Sequence, residues 1–233
     1  MLESIIFDID DTLMNHSGAV RKAIDRFYDK YIKGSNIEKK EFRNIWNEEQ
    51  TKYMDDYLNN AVTFEEQRYL RIQSVFKKIG VYIDVDTAYE YFLTYLQLYE
   101  DNWSLYDDVK VTLEKLGDYK LGIISDGDSH QQRDKLKEFR IERYFNSIVV
   151  SGDINAVKPD KRIFKECLNR LETSSQKSLY IGDDYKRDFK GAIKNGLKAC
   201  LIDRNSDIKI EKIDNNYKIN SLLLLNKVLK KFR

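Results

Sequence analysis

The run Ile6-Phe7-Asp8-Ile9-Asp10-Asp11-Thr12-Leu13 sets two carboxylates two residues apart where a short apolar segment gives way to polar chain. In extended chain, residues i and i+2 project to the same side, so Asp8 and Asp10 can face one reacting centre. Acids at the end of a buried strand point to a bound cation or to proton transfer, because an unpaired buried charge is expensive. Three later segments carry complementary groups. Ser125-Asp126-Gly127 offers a hydroxyl, and Lys158-Pro159-Asp160 offers an ammonium beside the one proline of the chain. Gly182-Asp183-Asp184, with Asp188 a turn further on, supplies a second set of carboxylates.

These groups require elements that bring them together. Residues 2–8 read as a short buried strand ending in acids. From Ser17 to Tyr99 the period becomes helical: Val20, Ile24, Phe27, Tyr28, Tyr31 and Ile32 recur at helix spacing, as do Phe42, Ile45, Trp46 and Tyr53. Ser17 is placed to cap the first of these helices. Thr63-Phe64-Glu65-Glu66 has the form of a capping box opening a third helix, which Gly80 ends. A fourth is expected from Asp86 to Glu100. After Trp103 short apolar strands (121–125, 148–150, 178–181, 199–202) alternate with amphipathic helices. This order predicts an α/β fold, a Rossmann-like doubly wound parallel sheet. The core is expected over 1–15 and 103–233, with an α-helical domain at 16–102 inserted after the first strand. Ligands of such sheets bind beyond the carboxyl ends of the strands, which is where all four chemical segments fall.

Composition narrows the function classes. With 40 basic and 39 acidic residues and a net charge of +1, no overall field favours a nucleic acid polymer. Cys167 and Cys200 form no CxxC pair and read as packing thiols of a reducing compartment. No apolar run approaches the roughly 18 residues of a membrane span, and no signal sequence is evident. The expectation is a soluble, cytoplasmic protein, monomeric or homodimeric. The terminal Lys230-Lys231-Phe232-Arg233 reads as a solvated helix end with a weak pull on anions.

The series Asp-x-Asp-x-Thr, apolar-apolar-Ser, Lys-Pro, then Gly-Asp-Asp with a later Asp, resembles the four signatures of the haloacid dehalogenase-like (HAD) hydrolases in their usual order. The resemblance spans essentially the whole chain. The helical insertion is similar to the C1 cap of subfamily I, in the manner of pyrimidine 5′-nucleotidase-like and phosphoglycolate phosphatase-like members. Trp46–Arg71 loosely resembles caps of the former and Ser125–Leu136 resembles them more clearly, and the likeness implies a small phosphorylated metabolite as substrate. It implies a phosphatase in which Asp8 forms a covalent aspartyl-phosphate and Asp10 serves as general acid and then base. It implies Mg²⁺ held by Asp8, the Asp10 carbonyl and Asp183, with Thr12, Asp184 and Asp188 steadying that shell. Ser125, Asp126, Gly127 and Lys158 would receive the phosphate, Ser125 and Lys158 also acting in catalysis. Dehalogenases of the family lack an acid at the second position of the first motif, so Asp10 favours phosphoryl transfer. A phosphomutase would share the chemistry but usually carries Gly where Asp11 stands.

Two segments depart from the family pattern. Asp126 replaces the common Asn, and its charge would repel a phosphate unless it turns away or pairs with Arg133. Asp107-Asp108 replaces Pro-Gly. In this group the cap sets substrate choice, which makes Arg68 and Arg71 candidates for a substrate phosphate or carboxylate. Phe27, Tyr28, Tyr31, Trp46, Tyr53 and Tyr57 could stack on a base, although aromatics at helix spacing usually form core. The leading substrate expectation is a nucleoside 5′-monophosphate. Sugar phosphates and phosphoglycolate come next. A non-catalytic phosphometabolite-binding regulator is the rival, and it would have lost Asp8, Asp10, Lys158 or Asp183, all of which are present.

Overall fold

The computed structural model describes residues 1–59 and 61–232; Arg233, expected in the solvated terminus, lies outside them. In chain order the elements are β1 (Ser4–Phe7), α1 (His16–Tyr31), α2 (Lys39–Leu58), α3 (Glu66–Lys78), α4 (Val85–Glu100), α5 (Asp108–Leu113), β2 (Lys120–Ser125) and α6 (Ser129–Glu138). There follow β3 (Ser147–Val150), α7 (Ser151–Ile154), α8 (Lys161–Arg170), β4 (Ser178–Gly182), a π-helical turn (Tyr185–Lys190), α9 (Gly191–Lys194), β5 (Lys198–Ile202), β6 (Ile210–Ile213), β7 (Asn216–Ile219) and α10 (Leu225–Leu229). The chain divides into two compact units, residues 1–15 with 104–233, and residues 16–103.

The first unit is built on a seven-stranded sheet ordered β3-β2-β1-β4-β5-β7-β6. Every pairing is parallel except β6 with β7, so the expected doubly wound parallel sheet is present. Strands β1 to β5 are short and largely buried because both faces are covered, which is why they read as nearly unbroken apolar runs. On one face Ile163, Phe164, Cys167 and Leu171 pack with Ile6, Ile124, Val149 and Tyr180. Gly122 permits this approach: a Cβ there would lie 2.9 Å from both Cys167 Sγ and Leu171 Cδ1. The order changes direction around β1, so the crevice between β1 and its neighbours is the natural place for a ligand.

The β6–β7 hairpin was missed by the sequence reading, which passed directly from β5 to the terminal helix. Both strands are only four residues long, and their alternation is too brief to register. Their turn is set by Asp214, whose φ of 53° lies in the left-handed region that Asp tolerates. The segment Tyr185–Lys190 is π-helical, where the alternation of strands with amphipathic helices implies a plain helix.

Asp108 also proves more than a turn residue. Its carboxylate accepts two bonds from Arg204 (3.1 Å each), one from Ser221 Oγ (2.7 Å) and one from the Leu222 amide (2.8 Å). Burial works against its ionisation, but these donors prevail and hold its pKa below the usual carboxylate value.

The helical unit contains α1–α4 and, among the described residues, no strand. Phe27, Phe42, Trp46, Phe76, Tyr91 and Tyr95 form a connected aromatic core. The capping box forms as expected: the Thr63 amide donates to Glu66 Oε2 (2.7 Å) and the Glu66 amide to Thr63 Oγ1 (3.1 Å). Asp84 caps α4 through the Thr87 amide. Ser17 is not the cap of α1, since that helix already begins at His16.

Candidate active site

Parallel pairing places the ends of β1, β2 and β4 side by side. Phe7 is in register with Ile123 and with Ile181, so the residues that follow leave the sheet at one level. Asp8 is fixed there by its own amide, which donates to the Ile181 carbonyl at 2.9 Å. Its buried carboxylate accepts from Lys158 Nζ at 2.6 Å. The same ammonium reaches Asp188 Oδ1 at 2.8 Å. Asp188 in turn accepts from Tyr180 OH (3.0 Å) and from the Asp184 amide (3.1 Å). Gly182 makes this possible, because a Cβ at that position would collide with the Asp188 carboxylate.

Asp8, Asp183 and Asp188 each offer a carboxylate oxygen, all within 4.8 Å of one another. One ammonium cannot neutralise three acids. Burial, with Asp188 and Asp11 next, pushes Asp183 up to about 7. Burial also raises Asp8 well above the carboxylate range, Lys158 opposing and Asp188 and Asp183 adding to the shift. Burial would lower Lys158, yet Asp188 and Asp8 outweigh it and keep the amine charged. An all-oxygen donor set with surplus negative charge fits a hard divalent cation.

The remaining expected residues fall around this cluster. Ser125, at the end of β2, is buried and accepts from Gln132 Nε2 at 2.7 Å. The Gly127 amide donates to Ser151 Oγ at 2.9 Å, with Gly127 at a φ of 129°. Asp10 is not part of the carboxylate cluster. Its carboxylate accepts from Gln132 Nε2 (2.9 Å) and Lys135 Nζ (2.7 Å). Asp184 is occupied as a cap, accepting from the Lys186 and Arg187 amides at 2.8 Å. Thr12 is fully buried, and its hydroxyl has no partner among the described residues; its carbonyl accepts from Arg204 at 2.5 Å.

The partner of Asp126 is not Arg133. Asp126 accepts from the Lys158 amide at 2.9 Å and faces Arg187 at 3.5 Å. Arg133 is bound to Asp153 at 2.7 Å instead. Burial raises Asp126, with Lys158 opposing.

Arg68 and Arg71 lie on α3 of the helical unit. Arg71 is 8% exposed, its guanidinium 5.3 Å from the Phe92 ring centroid and 5.4 Å from that of Tyr95. Its Nε has no hydrogen-bond partner among the described residues, and burial lowers its pKa. Arg68 covers Phe64 and Phe92. Of the aromatics considered for base stacking, Phe27 and Trp46 are wholly within the core. Tyr28 donates to the Ile37 carbonyl.

Sequence reasoning missed Gln132 and Lys135. They stand three residues apart on α6, beside the buried Leu136. A helix so rich in charge reads as solvated, and the one available signal was this i, i+3 spacing next to an apolar residue.

The family description "haloacid dehalogenase-like hydrolase" matches residues 5–202. A glyceraldehyde 3-phosphate phosphatase of Methanothermobacter thermautotrophicus is 29% identical over 215 residues, 89% of this chain and 88% of that protein. Human N-acylneuraminate-9-phosphatase is 25% identical over 234 residues, covering 98% and 94%. Among solved structures, the magnesium-bound HAD-hydrolase YfnB of Bacillus subtilis superposes with a TM-score of 0.79 over 98% of both chains, at 24% identity.

Proposed function

Because this chain belongs to the haloacid dehalogenase-like hydrolases, we propose that it is a phosphatase of small phosphomonoesters working through an aspartyl-phosphate on Asp8. The observation that carries this reading is Lys158 bridging Asp8 and Asp188 (2.6 and 2.8 Å) inside the three-carboxylate cluster. A free Asp8 oxygen attacks phosphorus as the ester oxygen departs. Asp10 gives its proton to that oxygen, then removes one from the water that attacks the acyl-phosphate. The Ser125 hydroxyl donates to a phosphoryl oxygen, and Lys158 balances charge on nucleophile and phosphate.

Mg²⁺ is the cation we assign to the cluster, with Asp8, Asp183 and the Asp10 carbonyl as its ligands. Asp188, already accepting from Tyr180, Lys158 and the Asp184 amide, orients that set rather than leading it. Bound there, the ion would offset the phosphate's charge and polarise its oxygens.

On substrate, phosphorylated sugars and sugar acids rank ahead of nucleoside 5′-monophosphates. Two relatives carry names of that chemistry, and the central aromatics of the helical unit are committed to its core. Arg71, a buried cation stacked on two rings, is the candidate for a second anionic group such as a carboxylate.

The test is phosphate release from a panel of sugar phosphates, phosphorylated acids, nucleotides and an aryl phosphate, with Mg²⁺ or with EDTA. Release with Mg²⁺ and none with EDTA is expected; release that ignores EDTA would remove the metal from the reading. A second measurement follows from Asp183. Below about pH 7 a proton occupies its carboxyl in the metal-free protein and competes with the cation. The rise in melting temperature on adding Mg²⁺ should therefore be large at pH 8 and small at pH 5.5. Equal shifts at both would argue that the ion binds elsewhere.

A further inference from the structure

Helix α6 buries a glutamine and a lysine on the face that packs inward, and both turn to one carboxylate. Gln132 Nε2 lies 2.9 Å from Asp10 Oδ2, 2.7 Å from Ser125 Oγ and 3.0 Å from the Asp126 carbonyl. Lys135, 2% exposed, places Nζ 2.7 Å from Asp10 Oδ1. The two oxygens of Asp10 are thus held by different donors, which fixes both the position and the plane of the carboxylate. The helix itself is pinned at its start, where Asp128 caps the Gln131 amide at 3.0 Å and Arg133 pairs with Asp153.

We propose that Gln132 and Lys135 are positioning residues for the proton transfers of Asp10, with Gln132 coupling that carboxylate to the phosphate-binding hydroxyl of Ser125. This rests on the aspartyl-phosphate reading. A buried lysine is a poor device for stability alone, since an apolar residue of similar volume often serves as well when the whole pair is replaced. Here the ammonium faces a partly exposed acid, and its burial aligns the donor on one oxygen.

The chemistry supplies a specific signature. Breaking the ester bond of an alkyl phosphate needs a proton on the leaving oxygen, whereas 4-nitrophenolate leaves without one. Removal of the acyl-phosphate by water needs Asp10 as base whatever the substrate. Lys135→Met should therefore leave a rapid burst of nitrophenolate equal to the enzyme concentration, followed by a steady rate lowered about 10²–10³-fold, within the range of general acid–base catalysis. With an alkyl phosphate it should show no burst and a comparable fall in kcat, KM staying within a few-fold. Gln132→Leu should give the same pattern more weakly, and Lys135→Arg, which keeps the charged donor, should recover most of the rate.

A raised KM with normal kcat would overturn the proposal by making Lys135 a substrate contact. Unchanged kinetics with a lowered melting temperature would overturn it by making the pair structural. The wild-type protein separates these failures from that of the underlying reading. If it releases no phosphate from any compound with Mg²⁺, the aspartyl-phosphate mechanism itself fails.

Discussion

Asp8→Asn should lower turnover by at least about 10⁴-fold, the scale seen when a nucleophile is removed, while raising the melting temperature of the metal-free protein. The first effect follows from chemistry, because an amide oxygen cannot form the acyl-phosphate. The second follows from charge. Asp8, Asp183 and Asp188 crowd around a single ammonium, and burial, with the neighbouring acids adding to it, raises Asp8 well above the carboxylate range. A carboxyl raised in the folded state favours folding at low pH. That advantage is lost as pH rises above the ordinary carboxylate value toward the folded one. The wild-type protein in EDTA therefore carries a penalty at neutral pH that the variant lacks, while Lys158 still has Asp188. The gap in melting temperature should be small near pH 4 and widen toward pH 8. Turnover close to wild type, or a variant less stable than its parent at pH 8, would defeat the assignment.

Lys158→Met should act in the opposite sense on stability. Its ammonium binds Asp8 and Asp188 and is all but buried. Removing it leaves two acids facing each other without compensation, a loss of about 3–5 kcal/mol by analogy with broken buried pairs. Denaturant unfolding in EDTA should show a lower midpoint with an unchanged slope, the mark of altered stability rather than altered compactness. Part of the loss should return when Mg²⁺ is added, since the cation offsets the same charge. Catalysis should fall by about 10²–10³-fold or more, the usual consequence of removing a group that balances transition-state charge. A variant as stable as the parent would show that the ammonium does not hold these two acids together.

These contrasting variants also show what the sequence made legible. Asp8, Ser125 and Asp183 stand at the ends of strands short and apolar enough to be read directly, and the parallel order then brings them to one edge. Lys158 was marked by the proline beside it. Partnerships across long separations were not legible. For Asp126 the sequence offers Arg133, seven residues away, as one of two alternatives; in the structure it faces Arg187, because only the folded sheet brings the turn after β4 beside that after β2. Gln132 and Lys135 were hidden by the charge of their own helix. Asp108 looked like a departure from a Pro-Gly turn and serves as the acceptor for Arg204, Ser221 and Leu222. Periodicity reports which face of an element is apolar. It says nothing about which distant donor a buried acid will find.

The path of the chain at residues 13–15 and 104–106 bears on how such a molecule can be assembled. The Asn15 amide donates to the Ser104 carbonyl at 2.9 Å and the Tyr106 amide to the Leu13 carbonyl at 3.1 Å, with Met14 bridged antiparallel to Leu105. Departure and return are zipped together inside the first unit. The long excursion between β1 and β2 therefore behaves as a closed loop, and the entropy of closing a loop grows only with the logarithm of its length, by about 0.6 kcal/mol per doubling. Residues 16–103 are therefore expected to be exchangeable for a helical unit up to about twice or half their length at a cost near 0.6 kcal/mol in loop closure. The sheet and its strand ends are in this sense a portable chassis, open to insertion at a single seam.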